Sequence, residues 1–155
     1  MLVFETPADL ATSLGRELGV SGWLVVSQEL ITQFAEVTRD FTWMHTDPAR
    51  AAREMPGGTT IAHGYLTLAV GSGLLAEIYT VKRHGRVFNY GVDQLRFPAP
   101  VPAGGRIRLR LRLAGVEKRD DAGLLFRLGI TTELAGSERP AAVYEMLVLM
   151  YPERR

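Results

Sequence analysis

A run of 20 mostly apolar residues, Ile61 to Thr80, constrains this chain more than any other feature. Its length just spans a bilayer, but a helix at the centre of a soluble domain shows the same pattern. His63 and Glu77 interrupt the run, as do Gly64, Gly71 and Gly73. Because the rest of the chain reads as amphipathic strands, the interior helix is the better fit, and no membrane association is expected.

The second half changes period. Arg106-Ile-Arg-Leu-Arg-Leu-Arg-Leu113 alternates strictly, as a strand with one buried face does. Arg119-Asp-Asp-Ala-Gly123 is a turn, and Leu124 to Thr132 is the next strand. Gly136-Ser137 turns the chain into a last strand, Ala141 to Tyr151, while Val87 to Phe97 precedes them all. Helices followed by a strand meander mean α+β. A sheet needs cover on one face, and Ile61–Thr80 is the element apolar enough to supply it. The expected architecture is a curved antiparallel sheet wrapped around one long central helix.

No repeat, low-complexity tract or linker divides residues 1–155, so one domain is expected. Thr6-Pro7 reads as a cap and N1 proline for a first short helix, with Gly19 near its end. Trp23-Leu-Val-Val26 is a short strand. Ser27 caps a helix with Leu30, Ile31, Phe34 and Val37 on one face, and Asp47-Pro48 caps another. Lys+Arg 18 against Asp+Glu 17 leaves a net charge of +1, which points to no nucleic acid and no anionic membrane. The absence of Cys excludes disulfides, thiolate metal sites and cysteine nucleophiles. The start, Met1-Leu-Val-Phe-Glu-Thr-Pro7, lacks a signal-peptide pattern, so a cytoplasmic location is expected.

Asp40 and His45 fall on a short connection between helices, beside the apolar run. A carboxylate and an imidazole on one such loop can hold a water between them, take one proton and deliver another. The structural alternative is that Asp40 caps a turn and His45 fills a surface hydrogen bond. Downstream, Gly58-Thr-Thr-Ile-Ala-His63-Gly64-Tyr65 opens the central helix. The first turn of a helix has unpaired N–H groups, and a glycine there lets an amide approach a substrate carbonyl closely; close packing of helix on sheet is the plainer use. His63 fits a hydrogen-bonded structural residue better than a second base. Asp40, His45 and His63 do not show the recurring spacings of metal ligands, so no metal is expected. The arginine stripe at 106, 108, 110 and 112 is read as a solvated sheet face, with contact to a nucleotide-bearing molecule or second subunit as its alternative.

With these residues in place, the chain resembles the MaoC-like family of hotdog-fold hydratases and dehydratases, in its nodulation-protein-N-like branch. The resemblance rests on Phe34-Ala-x-x-Thr-x-Asp40-x-x-Trp43-x-His45-x-Asp47-Pro48-x-x-Ala51, followed by Gly58-x-Thr-Ile-Ala-His63-Gly64-Tyr65-Leu-Thr-Leu68. It covers nearly the whole chain. It departs from the family's Gly-Asp-x-Asn-Pro-x-His pattern in that Arg39 precedes Asp40 and Thr42-Trp43 stands in place of Asn-Pro.

The resemblance implies a hotdog fold, a homodimer, and (R)-specific hydration of trans-2-enoyl thioesters of coenzyme A, with acyl-CoA as substrate and no cofactor. It further implies Asp40 and His45 as the catalytic pair, Gly64 as the amide that receives the thioester carbonyl, and Ser72 as a pocket serine, with His63 counted among the substrate-binding residues. His45 is expected as base, and Asp40 as its partner and proton donor. Two alternatives remain: thioester hydrolysis, for which Glu77 is the only acid on the central helix, and a non-catalytic acyl-thioester-binding module.

Overall fold

The structure, a computed structural model, describes residues 1–153; Arg154 and Arg155, inside the expected domain bounds, lie outside them. In chain order the elements are β1 (Leu2–Phe4), α1 (Pro7–Ala11), β2 (Glu17–Val20), β3 (Leu24–Val26), α2 (Gln28–Thr38), α3 (Trp43–Thr46), α4 (Pro48–Glu54), α5 (Gly64–Ala69) and α6 (Gly71–Ile78). Five strands follow: β4 (Tyr79–Val81), β5 (Val87–Arg96), β6 (Gly105–Lys118), β7 (Leu124–Leu134) and β8 (Ala142–Met150).

The expected alternation decides the core. Ile107, Leu109, Leu111 and Leu113 of β6 are all fully buried, as are Phe126 and Leu128 of β7. All but Ile107 meet Leu74, Leu75 and Ile78 of α6 and Tyr144, Met146, Val148 and Met150 of β8 in one cluster, while Ile107 packs with Val26, Ile31 and Leu66 in a second. Each fully buried Leu or Ile contributes about 1.5–3 kcal/mol relative to an exposed one. The antiparallel sheet runs β2-β6-β7-β8-β5, and β3 also pairs along the long β6. β1 and β4 form a separate parallel pair beside it. This is the α+β hotdog arrangement expected: helix inside, sheet around it.

The arginine stripe lies on the other face of β6. Arg108 sits directly opposite Glu133 in the β6–β7 register. Glu133 accepts from Arg108 Nε at 2.6 Å and Arg110 Nε at 2.8 Å. Burial works to raise the Glu133 carboxyl, but the two guanidiniums hold it below its ordinary range. Arg106 and Arg108 also lie over the Trp23 ring, at 5.6 and 4.5 Å from its centre. The solvated-face reading stands, with two of its four arginines, Arg108 and Arg110, ion-paired within the chain.

Three expectations change. The central helix is shorter than Ile61–Thr80: Ile61 forms an isolated bridge to Pro102, and residues 79–81 are strand β4. Its start is delayed because the Ile61 and Ala62 amides already bond to Met44 and Val101 carbonyls. It is formally two helices, yet Val70 keeps right-handed helical angles and Leu74 N–H bonds to Val70 O, so the axis continues. At the joint, a Cβ on Gly71 would lie 2.7 Å from the Tyr144 hydroxyl, so only glycine lets helix and sheet close there. Nor is the helix buried all round, since Tyr65, Ala69, Ser72 and Ala76 are exposed. Finally, α2 buries Ile31 and Ala35 but leaves Val37 84% exposed, and Gly19 belongs to β2 rather than to a helix end.

Candidate active site

The site begins where α2 stops. Arg39 takes a left-handed conformation (φ 59°) that ends the helix and turns Asp40 back toward the molecule. Thr42 N–H and the Thr42 hydroxyl both donate to Asp40 Oδ1, at 3.2 and 2.6 Å. Those two bonds, helped by His63 and His45 nearby, outweigh partial burial and hold the Asp40 carboxyl below the usual carboxylate range. The second oxygen, Oδ2, lies 3.9 Å from His63 Nε2, and the side chain is 50% exposed. At neutral pH Asp40 is therefore a half-open carboxylate with one oxygen occupied.

His45 sits in the one-turn helix α3, half-buried. Its Nδ1 lies 2.7 Å from the Ile61 carbonyl oxygen. A carbonyl can only accept, so Nδ1 carries the proton and Nε2 presents its lone pair. Several bonds keep that geometry. Gln28 Nε2 donates to the His45 carbonyl at 2.9 Å, the Thr60 hydroxyl donates to Gln28 Oε1, and Ile61 N–H donates to Met44 O at 3.0 Å. Thus α2, α3 and the segment entering α5 are tied together around one imidazole.

His63 lies beneath. It is 4% exposed, its ring stacks on His45 with centres 3.8 Å apart, and Nε2–H donates to the Asp40 main-chain carbonyl at 3.1 Å. Among the described residues its Nδ1 is buried without a partner. The expectation of a substrate-binding His63 is corrected: the ring is covered, and it props the Asp40 loop from below. Gly64 follows as the first residue of α5, in the turn whose amides have no acceptor inside the helix. A Cβ at Gly64 would stand 2.8 Å from the Phe97 ring. The glycine keeps open the narrow space between that ring and the helix start.

One polar atom from each of Asp40, His45 and His63 lies within 4.8 Å of the other two. The arrangement fits a metal poorly, because imidazole lone pairs lie in the ring plane and two stacked rings aim theirs side by side rather than at one point. A carboxylate and an imidazole this close can share one water instead. Asp40, His45, His63 and Gly64 are thus brought together as the sequence suggested. Ser72 is not; two turns further on, it lines a groove of about 300 Å³ with Leu75, Ala76, Tyr79, Met146 and Val148. Glu77 stands further along α6, where its Oε2 accepts the Gly22 N–H at 2.8 Å. Thr42, Gln28, Thr60 and the Ile61 carbonyl were not singled out in advance. Only Thr42, two residues from Asp40, left a trace, as a departure from the family pattern.

Comparison with known proteins shows the family and the fold. The family model described as MaoC like domain matches residues 9–128. Over 148 residues the chain is 45% identical to 3-hydroxyacyl-thioester dehydratase Z of Mycobacterium tuberculosis, covering 96% of this chain and 97% of that protein. It is 36% identical over 144 residues to Nodulation protein N of Rhizobium leguminosarum bv. viciae, covering 92% and 89%. Among solved structures, the unliganded R-hydratase of Pseudomonas aeruginosa superposes with a TM-score of 0.69 at 24% identity, over 95% of this chain and 85% of that one.

Proposed function

Because the chain belongs to the MaoC-like dehydratase family, we propose that it interconverts trans-2-enoyl and (3R)-3-hydroxyacyl thioesters of coenzyme A. The observation that carries this reading is the tautomer of His45, whose Nδ1–H is held by the Ile61 carbonyl, in one cluster with Asp40 just before the start of α5. In the hydration direction the thioester carbonyl rests on Gly64 N–H, which draws charge from the β-carbon. A water bound between Asp40 and His45 attacks that carbon, giving one proton to His45 Nε2 while the π electrons move toward the carbonyl oxygen. The enolate then takes that proton from His45 at its α-carbon. One water is added across the double bond, its hydroxyl and hydrogen on the same face, and the enzyme is unchanged.

Asp40 enters this scheme as a carboxylate that orients the water by accepting its other hydrogen. The expected role of proton donor therefore passes to His45, because the donors on Asp40 favour its ionised form. No cofactor takes part. The acyl chain runs along the groove beside Ser72, and a second copy of the chain covers the exposed apolar face. Thioester hydrolysis is less favoured, because Glu77, the one acid on the central helix, lies about three to four turns past Gly64.

Incubation with trans-2-enoyl-CoAs of increasing length tests the proposal. Loss of the enoyl absorbance, a (3R)-hydroxyacyl product and no free thiol are expected. Thiol release would favour a thioesterase, and tight binding without turnover across the series would leave a binding module.

A further inference from the structure

We propose that Thr42 is a positioning residue that selects which oxygen of Asp40 works on the bound water. The proposal rests on the hydratase reading above, though its geometry stands apart from it. Thr42 occupies the N-cap position of α3, where a threonine oxygen ordinarily accepts an amide of the first turn. Here it makes no such cap: φ −52° and ψ 129° direct the hydroxyl elsewhere, and it donates to Asp40 Oδ1 at 2.6 Å. The Thr42 amide donates to the same oxygen at 3.2 Å. With Oδ1 engaged twice, the carboxylate cannot exchange its oxygens by rotating, and Oδ2 is the one turned toward His63 Nε2. The position that departs from the family's asparagine thus still carries a donor toward Asp40, a hydroxyl.

The same contact fixes charge as well as direction. A short bond to a carboxylate is stronger than one to the protonated acid, so it favours the ionised state. The titratable groups facing Asp40 are His45 from α3 and His63 at the entrance to α5; among the described residues no Lys or Arg makes an ion pair with it. Thr42 is therefore the largest local influence on when Asp40 gains a proton. Removing its hydroxyl raises the Asp40 midpoint, and the acidic limb of the rate profile moves up with it.

The test compares wild type, Thr42→Val and Thr42→Ser, following the Asp40 carboxyl by carbon-13 NMR titration and kcat/KM for a trans-2-enoyl-CoA across the same pH range. Valine keeps the branched shape and removes the donor; serine keeps the donor. Thr42 is exposed and outside the core, so all three chains are expected to unfold at the same temperature. Thr42→Val is expected to raise the Asp40 midpoint by about one pH unit and lower kcat roughly 10-fold, and Thr42→Ser to restore both. An Asp40 midpoint unmoved in folded Thr42→Val overturns the proposal. A shifted midpoint in a protein that turns over no enoyl thioester upholds the hold of Thr42 on Asp40 and sinks the hydratase reading instead.

Discussion

At the scale of single residues, the chemistry turns on which atoms are already occupied. His45 donates from Nδ1 to Ile61 O, which leaves Nε2 for the substrate side. Asp40 accepts twice at Oδ1, which leaves Oδ2. Gly64 is defined by what it lacks. Alanine is the better helix former by roughly 1 kcal/mol, so replacement would be favourable if only the helix mattered. A Cβ there would instead stand 2.8 Å from the Phe97 ring and fill the approach to the amide. Gly64→Ala is accordingly expected to lower kcat by about 10²-fold, the cost associated with a disturbed oxyanion donor, while the chain still folds. Gly64→Ala combined with Phe97→Ala should recover part of it, because the two changes share one space. Steady-state kinetics of the three variants measure this coupling, and a fully active Gly64→Ala would remove the amide from the mechanism.

At the scale of elements, legibility followed periodicity. The alternation over 106–113 located β6, its buried face and its arginine face, because a two-residue period admits one arrangement on a half-buried sheet. The caps at Thr6, Ser27 and Asp47 placed α1, α2 and α4, since a side-chain oxygen before a helix satisfies a specific amide. The bounds of the central helix were not legible. Apolar residues from 61 to 80 suit helix, bridge and strand alike, and the outcome depended on distant partners: Pro102 for Ile61, and β1 for residues 79–81. The site divides the same way. Asp40, His45 and Gly64 are unusual residues in unusual places, so they announce themselves. Gln28 and Thr60 are ordinary until the fold brings them together across 32 positions, and a carbonyl such as that of Ile61 leaves no mark on the sequence.

At the scale of the whole molecule, one side of the chain is unfinished. β5 ends the sheet and pairs with β8 alone among the described residues. Phe88, Tyr90 and Val92 on it are between 37% and 55% exposed. Tyr65, 69% exposed, meets Phe97 edge to face beside Gly64, so the open apolar surface borders the proposed site. An uncapped edge strand of this kind invites pairing, and a second copy related by a two-fold axis supplies a matching edge. Sedimentation equilibrium is expected to give twice the 17.1 kDa chain mass. Val92→Glu, which would put a like charge on both copies, should shift the protein toward a folded monomer with reduced activity. A wild type that stays monomeric at micromolar concentration would count against this surface as the interface.

The proposed catalytic pair is open to one direct measurement: hydration of crotonyl-CoA by wild type and by Asp40→Asn, with folding checked by circular dichroism. Asparagine preserves shape but accepts a water hydrogen weakly and cannot hold the charge. The expected result is a loss of about 10²–10⁴ in kcat/KM with the spectrum unchanged. Turnover by folded Asp40→Asn at the wild-type rate would contradict a water gripped by Asp40 and His45.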